Sequence, residues 1–462
     1  MRRRSARSRI RAAVVICALV VPAIAAHAQP SLTLDEAIEA ARQTSQALER
    51  SRLGIDAARA GRAQARASFG PRVDASAGAA YLANPPDGIT IPAGAFGTVP
   101  DPLSTFPALV PERPVVIVPD PENLGLSARV EVQQPIYTWG KLHAAHDAAL
   151  AALDASMARH AQSEREIRRS VTLAYAGIVA GRASVPLVET IAHRLEDRAE
   201  DARRRFDAGA VTRSEVLTEE SRVASARLQL VRARQGLEST EAALRRLIGR
   251  EFSHLAAVDP PPELPSEHGL LDDAHANDPR LRELRATSEQ AAVQVRVATA
   301  SRPFLPDIGF RIQAEVQGQR VPFIQANWID TWRANLTISI GASALIYDGG
   351  ASSAEQRSAR AVYRQSLSAV TEYVDSLPLQ VRRTVEHYRI AEAMLAESEA
   401  RIASAEEQRR VARVAFENEI ITRAELIGAE VGVLEARLTE VGARLELSVA
   451  FAELEYLIGP LR

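Results

Sequence analysis

The chain has 462 residues, with 56 basic against 58 acidic side chains and a formal net charge of −2. Ala and Arg dominate, lysine occurs once (Lys141), and aromatic residues make up only 5%, which suits long, close-packed helices better than a thick globular core. The charge balance excludes a nucleic-acid binder, whose footprint is a strong positive excess.

In chain order, the first segment reads as an export signal. Arg2, Arg3, Arg4, Arg7, Arg9 and Arg11 form a basic stretch, Ala12 to Ala25 an apolar stretch, and Ala26-His27-Ala28 a small-residue cleavage pattern. The signal therefore spans 1–28 and the mature chain begins near Gln29. Without those six arginines, 50 basic residues face 58 acidic ones, a net charge of −8. The only cysteine, Cys17, lies inside this segment behind Ile16, where lipid attachment requires a small residue. The mature chain is thus expected to have no disulfide and no thiol chemistry. Beyond the signal no apolar run approaches the roughly 20 residues of a spanning helix. The chain is either soluble outside the cytoplasm or inserted as a β-barrel.

A helix is expected from Thr33 to Ala67, ended by Phe69-Gly70-Pro71 where proline starts an extended run. Val73, Ala75, Ala77, Ala79 and Tyr81 then alternate along one face of a strand. Leu82 to Asn123, rich in Pro and Gly, is a connector. A second strand sets Leu126, Ala128, Val130 and Val132 against Ser127, Arg129, Glu131 and Gln133. From Trp139 to about Arg205 the pattern is helical, a run of about 100 Å at 1.5 Å per residue. A short turn and a second helix follow, closed by Leu247-Ile248-Gly249. Glu251 to His268, with Pro260-Pro261-Pro262 and Pro265, is an irregular connector.

The same order then recurs. A helix from Gly269 to Ser301 is interrupted at Asp278-Pro279. Ile308, Phe310, Ile312, Ala314 and Val316 alternate with Gly309, Arg311, Gln313, Glu315 and Gln317. Gly318 to Arg333 connects this strand, through Trp328 and Trp332, to a second in which Leu336, Ile338 and Ile340 alternate with Thr337 and Ser339. A long helix from Gly350 to about Ala415 follows. The alternating runs match the roughly 9–11 residues of a tilted membrane strand, though a soluble half-buried sheet alternates in the same way. Pro186 and Pro378 fall inside the long helices at non-equivalent positions and are expected to kink or break them.

These halves superimpose at a constant shift of 210: Tyr137 on Tyr347, Phe206 on Phe416, Thr212 on Thr422, Leu247-Ile248-Gly249 on Leu457-Ile458-Gly459. Upstream of the first connector the shift grows to 235, as Phe69 on Phe304 shows. A tandem duplication is the simplest source of such register. The chain divides into 1–28 (signal), 29–250 (first repeat), 251–268 (connector) and 269–462 (second repeat).

Thr212-x-x-Glu215 and Thr422-x-x-Glu425 have capping-box spacing, and capping alone would explain them. They also stand at the far ends of the long helices, where an acidic ring around a narrow tube favours cations and can hold a gate. His143 and His146 share a helix face, but the second half has Ser353 and Gln356 there and no third ligand is near, so no metal site is expected. Phosphate loops, nucleophile elbows and paired carboxylates are missing, and no enzyme activity or cofactor is expected.

Together these residues resemble the TolC-type outer-membrane efflux proteins over essentially the whole mature length. The resemblance rests on Gln134-Pro135-Ile136-Tyr137-Thr138-Trp139-Gly140 and Ala344-Leu345-Ile346-Tyr347-Asp348-Gly349-Gly350 as strand-to-helix corners. It rests further on Phe206-Asp207-Ala208-Gly209-x-x-Thr212-x-x-Glu215 as a helix tip, and on the closing Leu-Ile-Gly of each half. It implies a mainly α fold with membrane β-strands: a duplicated strand pair plus helical hairpin, trimerised into a twelve-stranded barrel and a periplasmic α-helical barrel. It further implies a passive exit duct of a tripartite efflux or type I secretion system, in the outer membrane. Its partners would be outer-membrane lipid, a periplasmic adaptor and an inner-membrane pump of the RND, ABC or MFS type. Glu215 and Glu425 map onto the gate. Phe206, Gly209, Val211, Thr212, Phe416, Ile421 and Thr422 map onto the adaptor-docking tips. The polar strand residues Arg129, Glu131, Arg311 and Glu315 would line the barrel lumen. Two departures stand out: Glu419 replaces the glycine expected in the second tip, and Gly428 stands where a second gating acid is often found. The alternative function is a periplasmic coiled-coil adaptor that never enters a membrane.

Overall fold

A computed structural model describes residues 31–84, 87–100, 108–118, 122–257, 264, 267–300 and 305–459. The export signal expected over 1–28, the prolines at 260–262 and 265, and Phe304 lie outside these residues. In chain order the chain forms α1 (Leu34–Thr44), α2 (Gln46–Ala67), β1 (Arg72–Tyr81) and a connector holding β2 (Ile89–Ile91), β3 (Thr98–Val99), β4 (Ala108–Leu109) and β5 (Val115–Val118). It continues with β6 (Leu124–Tyr137), α3 (Lys141–Asp207), α4 (Arg213–Ile248), α5 (Glu267–Asn277) and α6 (Pro279–Ala300). The last part is β7 (Asp307–Gly318), α7 (Trp328–Thr331), β8 (Arg333–Ser343), α8 (Ala351–Glu417) and α9 (Arg423–Ile458).

The first helix is two helices rather than the single one expected from Thr33 to Ala67. Ser45 leaves the helical region (ψ 114°), ends α1 by donating to the Ala41 carbonyl at 2.9 Å, and accepts from the Leu48 amide to begin α2. The second repeat breaks at the same place by different chemistry. Pro279 opens α6, and the carboxylate of Asp278 accepts from the Arg280 and Leu281 amides at 2.7 and 3.3 Å. Both pairs are 11 and 22 residues long, so the helices repeat at an offset of 233, two fewer than the 235 separating Phe69 from Phe304.

The long helices each hold 67 residues, about 100 Å of axis. Both run through their proline without a break, contrary to that part of the sequence expectation. Leu377 and Val381, at 0% and 1% exposure, anchor α8 on either side of Pro378, and Val188 anchors α3 just beyond Pro186. Hydroxyls of Ser184 and Ser376 bond to nearby helix carbonyls at 3.1 and 2.9 Å. A stretch of α3 is apolar enough by composition alone to cross a membrane, which the sequence reading passed over. Its apolarity has another use here, because α4, α9, α6 and α2 all pack along this helix.

The core repeats as the sequence does. Ile167, Val171, Tyr175 and Ile178 of α3 meet Leu244 and Ile248 of α4, beneath Ala37, Ala41 and Leu48. Three counterparts at +210, Leu377, Val381 and Val385 of α8, sit with Leu454 and Ile458 of α9, and Leu270, Ala274 and Leu281 take the upstream places, while the fourth, Tyr388, packs with Ala391, Leu447 and Ala450. A fully buried leucine here is expected to matter in proportion to the cavity it leaves. Leu377→Ala is expected to cost about 2–5 kcal/mol, and the exposed Leu367→Ala under about 0.5 kcal/mol, measured by denaturant unfolding.

At each strand-to-helix corner the chain needs two consecutive left-handed residues. The second repeat supplies Gly349 and Gly350 (φ +69° and +93°), but the first supplies Trp139 and Gly140 (φ +53° and +82°). Trp139 is held in this costly conformation by its own contacts. Its indole N–H donates to the Pro306 carbonyl at 3.0 Å and its ring stands edge-on to Tyr137. Beside it the sole lysine, Lys141, pairs with Asp307 at 2.8 Å, tying the start of α3 to the start of β7.

Candidate functional site

β1, β6, β7 and β8 form one antiparallel sheet in that order. Its register decides what each face presents. Val73, Val132, Ile312 and Ile338 line up across the four strands, as do Ala75, Val130, Ala314 and Leu336. This face is apolar apart from Gln134, in the row of Phe310 and Ile340, and its outer strand β8 is bare: Leu336, Ile338 and Ile340 are 67%, 62% and 70% exposed. The opposite face carries Ser76, Arg129, Glu315 and Asn335 in one row and Asp74, Glu131, Gln313 and Thr337 in the next. Arg129 pairs with Glu315 at 3.1 Å and Arg311 with Glu131 at 2.9 Å. All four expected lumen residues therefore share one face, as two cross-strand ion pairs. The strands hold 10, 14, 12 and 11 residues, enough to cross a bilayer when tilted. An exposed apolar face of this extent marks contact with lipid or another protein.

At the opposite end of the long helices the two hairpins turn in the same way. The Gly209 amide bonds to the Phe206 carbonyl at 2.8 Å and the Ala210 amide to the Arg205 carbonyl at 2.7 Å. Glu419 and Ile420 repeat these bonds to Phe416 and Ala415. Thr212 and Thr422 then cap α4 and α9. In the second tip the box is complete: the Thr422 amide donates to the Glu425 carboxylate at 2.7 Å, and the Glu425 amide donates back to the Thr422 hydroxyl at 3.3 Å. Those bonds from Thr422, helped by Arg205 and Arg198, hold the Glu425 carboxyl below the usual carboxylate range. In the first tip Glu215 instead leans toward Arg205 at 3.7 Å. Phe206, Phe416 and Ile420 are left exposed, while Val211 and Ile421 are half-buried.

The two tips meet through α3 and α9. Ile191 packs on Ile427 and Val431, and Arg194 reaches Glu430 at 3.4 Å. One turn on, Arg198 lies 3.2 Å from Glu219, a carboxylate only 6% exposed that also takes Arg222 at 2.7 Å. The sequence reading passed over this cluster. Its only trace was an acid one turn beyond Glu215 that has Ala429, not an acid, as its equivalent. His143 and His146 both stand edge-on to Phe69, with ring centroids 5.0 and 6.3 Å away. Among the described residues no group of three His, Cys, Asp or Glu side chains could hold a metal.

Residues 37–250 and 270–460, one stretch in each repeat, match the outer membrane efflux protein family. The chain belongs to that family. Its fold is that of solved outer-membrane channels. VceC of Vibrio cholerae is 20% identical at a TM-score of 0.70, over 92% of this chain and 96% of VceC. The CmeC channel of Campylobacter jejuni is 13% identical (TM-score 0.71; 92% and 85% of the two chains). The MtrE channel of Neisseria gonorrhoeae, solved in its open state, is 18% identical (TM-score 0.68; 92% and 88%). No curated protein sequence matches. The chain is an efflux protein of the outer membrane, and the adaptor alternative falls away.

The family departures noted at the second tip now have geometry. Glu419 sits at φ +61°, where its counterpart Gly209 sits at +74°. A side chain in this region costs about 1–2 kcal/mol, against about 0.5–1 kcal/mol of chain entropy that glycine loses on folding. Glu419→Gly is thus expected to stabilise the tip by up to about 1 kcal/mol, and Gly209→Glu to destabilise it by a similar amount, read as opposite shifts in thermal unfolding. At Gly428 a Cβ would stand 3.5 Å from the Arg198 guanidinium, so the missing acid leaves Arg198 free to serve Glu219.

Proposed function

We propose that three copies of this chain close into a twelve-stranded outer-membrane barrel continued by a helical tube through the periplasm, a passive exit duct for efflux or type I secretion. The observation that carries the reading is the four-stranded sheet with one largely apolar face exposed and, among the described residues, both outer strands, β1 and β8, unpaired on one side. Unpaired backbone groups in lipid cost several kcal/mol each, so the outer strands must find partners. Single-chain barrels need about eight strands or more, which requires at least two copies; family resemblance supplies the number three. In this assembly Arg129, Glu131, Arg311 and Glu315 line a polar lumen, and no cofactor is needed.

The tips carry the other end of the function. Exposed Phe206, Phe416 and Ile420 beside the caps at Thr212 and Thr422 suit docking of a periplasmic adaptor, which would connect an inner-membrane pump. Glu215 and Glu425 would ring the mouth of the tube. The Arg198–Glu219 and Arg194–Glu430 pairs brace α3 against α4 and α9 just behind them, so a closed mouth has a rigid backing.

Detergent-extracted protein is expected to run at the native mass of a trimer with heat-modifiable gel mobility. A water-soluble monomer overturns the duct. Ile338→Arg, on the apolar face, is expected to cost about 2–4 kcal/mol of membrane stability and to deplete the protein from outer membranes, while Thr337→Arg on the lumen face is tolerated. In planar bilayers Glu425→Ala is expected to raise single-channel conductance or weaken cation preference. Unchanged conductance and selectivity would reduce Glu425 to a helix cap.

A further inference from the structure

The two connectors at the outer end of the sheet carry apolar residues that their own chain leaves bare. In β5, Val115, Val116, Ile117 and Val118 are 47%, 57%, 56% and 46% exposed, so both faces of that strand are open. Its partner β2 adds Ile89 at 57%. On the β7–β8 connector Phe323 and Ile324 are 88% and 80% exposed.

This second connector is a built turn rather than slack chain. Arg320 pairs with Glu122 at 2.6 Å and donates to the Ala326 carbonyl at 3.1 Å. The Val321 amide donates to Gln325 at 2.6 Å, and the Trp332 indole to the Arg320 carbonyl at 2.9 Å. Within it Phe323 and Asn327 adopt left-handed backbone (φ +63° and +52°). Polar bonds and backbone strain together hold an aromatic and a β-branched side chain out in water. Phe323 meets the Trp328 ring of the same connector, centroids 4.9 Å apart, yet stays 88% exposed, and strain kept for so open a side chain points to a use outside the chain.

Topology says what the partner is. β1 ends at Tyr81 and runs straight into the first connector, while β8 begins at Arg333 straight after the second. When β8 of one copy pairs antiparallel with β1 of the next, those two ends are neighbours. The second connector of one copy then abuts the first connector of the other, on the side away from the Arg320–Glu122 tie. Both exposed surfaces would then face one seam between copies.

We propose that Phe323 and Ile324 of each copy seat on the Ile89 and Val115–Val118 surface of its neighbour, locking the subunit seam at the outer mouth. This contact rests on the oligomeric duct proposed above. It would make the mouth a ring of interlocked loops, which resists shear between copies that strand pairing alone tolerates.

Cysteine cross-linking tests it cleanly, because the only native cysteine, Cys17, lies in the export signal. Phe323→Cys is combined with Val116→Cys, and separately with Ile89→Cys, in cells treated with a short bis-maleimide. Covalent dimers and trimers on denaturing gels are expected from at least one pair and from none of the single variants. Phe323→Ser with Ile324→Ser is expected to lower the temperature at which oligomers dissociate. Monomeric bands only from both pairs, in a sample whose native mass is trimeric, overturn the lock and leave the duct standing. A monomeric native mass overturns the duct itself. Quenching by brominated phospholipid of a bimane attached to the thiol of the Phe323→Cys variant would place this position in lipid, and also overturns the lock.

Discussion

Backbone hydrogen bonding at the two outer strands is the constraint on which the rest of the molecule depends. Among the described residues the four-stranded sheet leaves one side of β1 and one side of β8 without partners, and the lipid its apolar face calls for can supply none. Only other strands can, so the chain has to be part of a larger closed structure. The polar face follows from the same closure: once the sheet curves on itself, one face must look inward. In the proposed duct the Arg129–Glu315 and Arg311–Glu131 pairs would meet water in the lumen rather than hydrocarbon.

Duplication lets one design serve twice. One unit of strand pair and helical hairpin supplies half of what each copy contributes, and the core positions of the two units coincide residue by residue. Ile167, Val171 and Tyr175 correspond to Leu377, Val381 and Val385, and Leu244 to Leu454. At two of the places where the units differ, the chain has compensated locally. Trp139 takes the place of a glycine through its indole bond and its edge-on contact with Tyr137, and Pro279 with Asp278 takes the place of Ser45. Glu419 holds a glycine's backbone position with no comparable support from the turn around it.

Charge is distributed according to what each level needs. Most ion pairs along the helices are exposed and worth little in stability. Glu219, nearly buried between Arg198 and Arg222, is of another kind, because removing any partner strands charge in a dry place. Its position just behind the tips ties α3 to α4 beside the proposed mouth of the tube.

Periodicity and repetition were enough to mark the strands, the long helices, the tip turns and the duplication, because each is a local pattern written in side-chain spacing. The capping threonines and the polar strand face were legible for the same reason. The break at Ser45 was not, since a lone serine within a helical pattern is ambiguous until its hydroxyl is seen to accept from the Leu48 amide. Passage of the long helices through Pro186 and Pro378 was also hidden, because it depends on buried neighbours such as Leu377 that hold the axis from outside the local sequence. Tertiary structure alone brought Arg198 to Glu219 and Arg194 to Glu430, residues on different helices whose meeting no spacing along the chain can encode. It also set the strand register, which turns four alternating segments into one largely apolar face and one polar face: alternation fixes which residues share a side within a strand, and only pairing aligns those sides across the sheet.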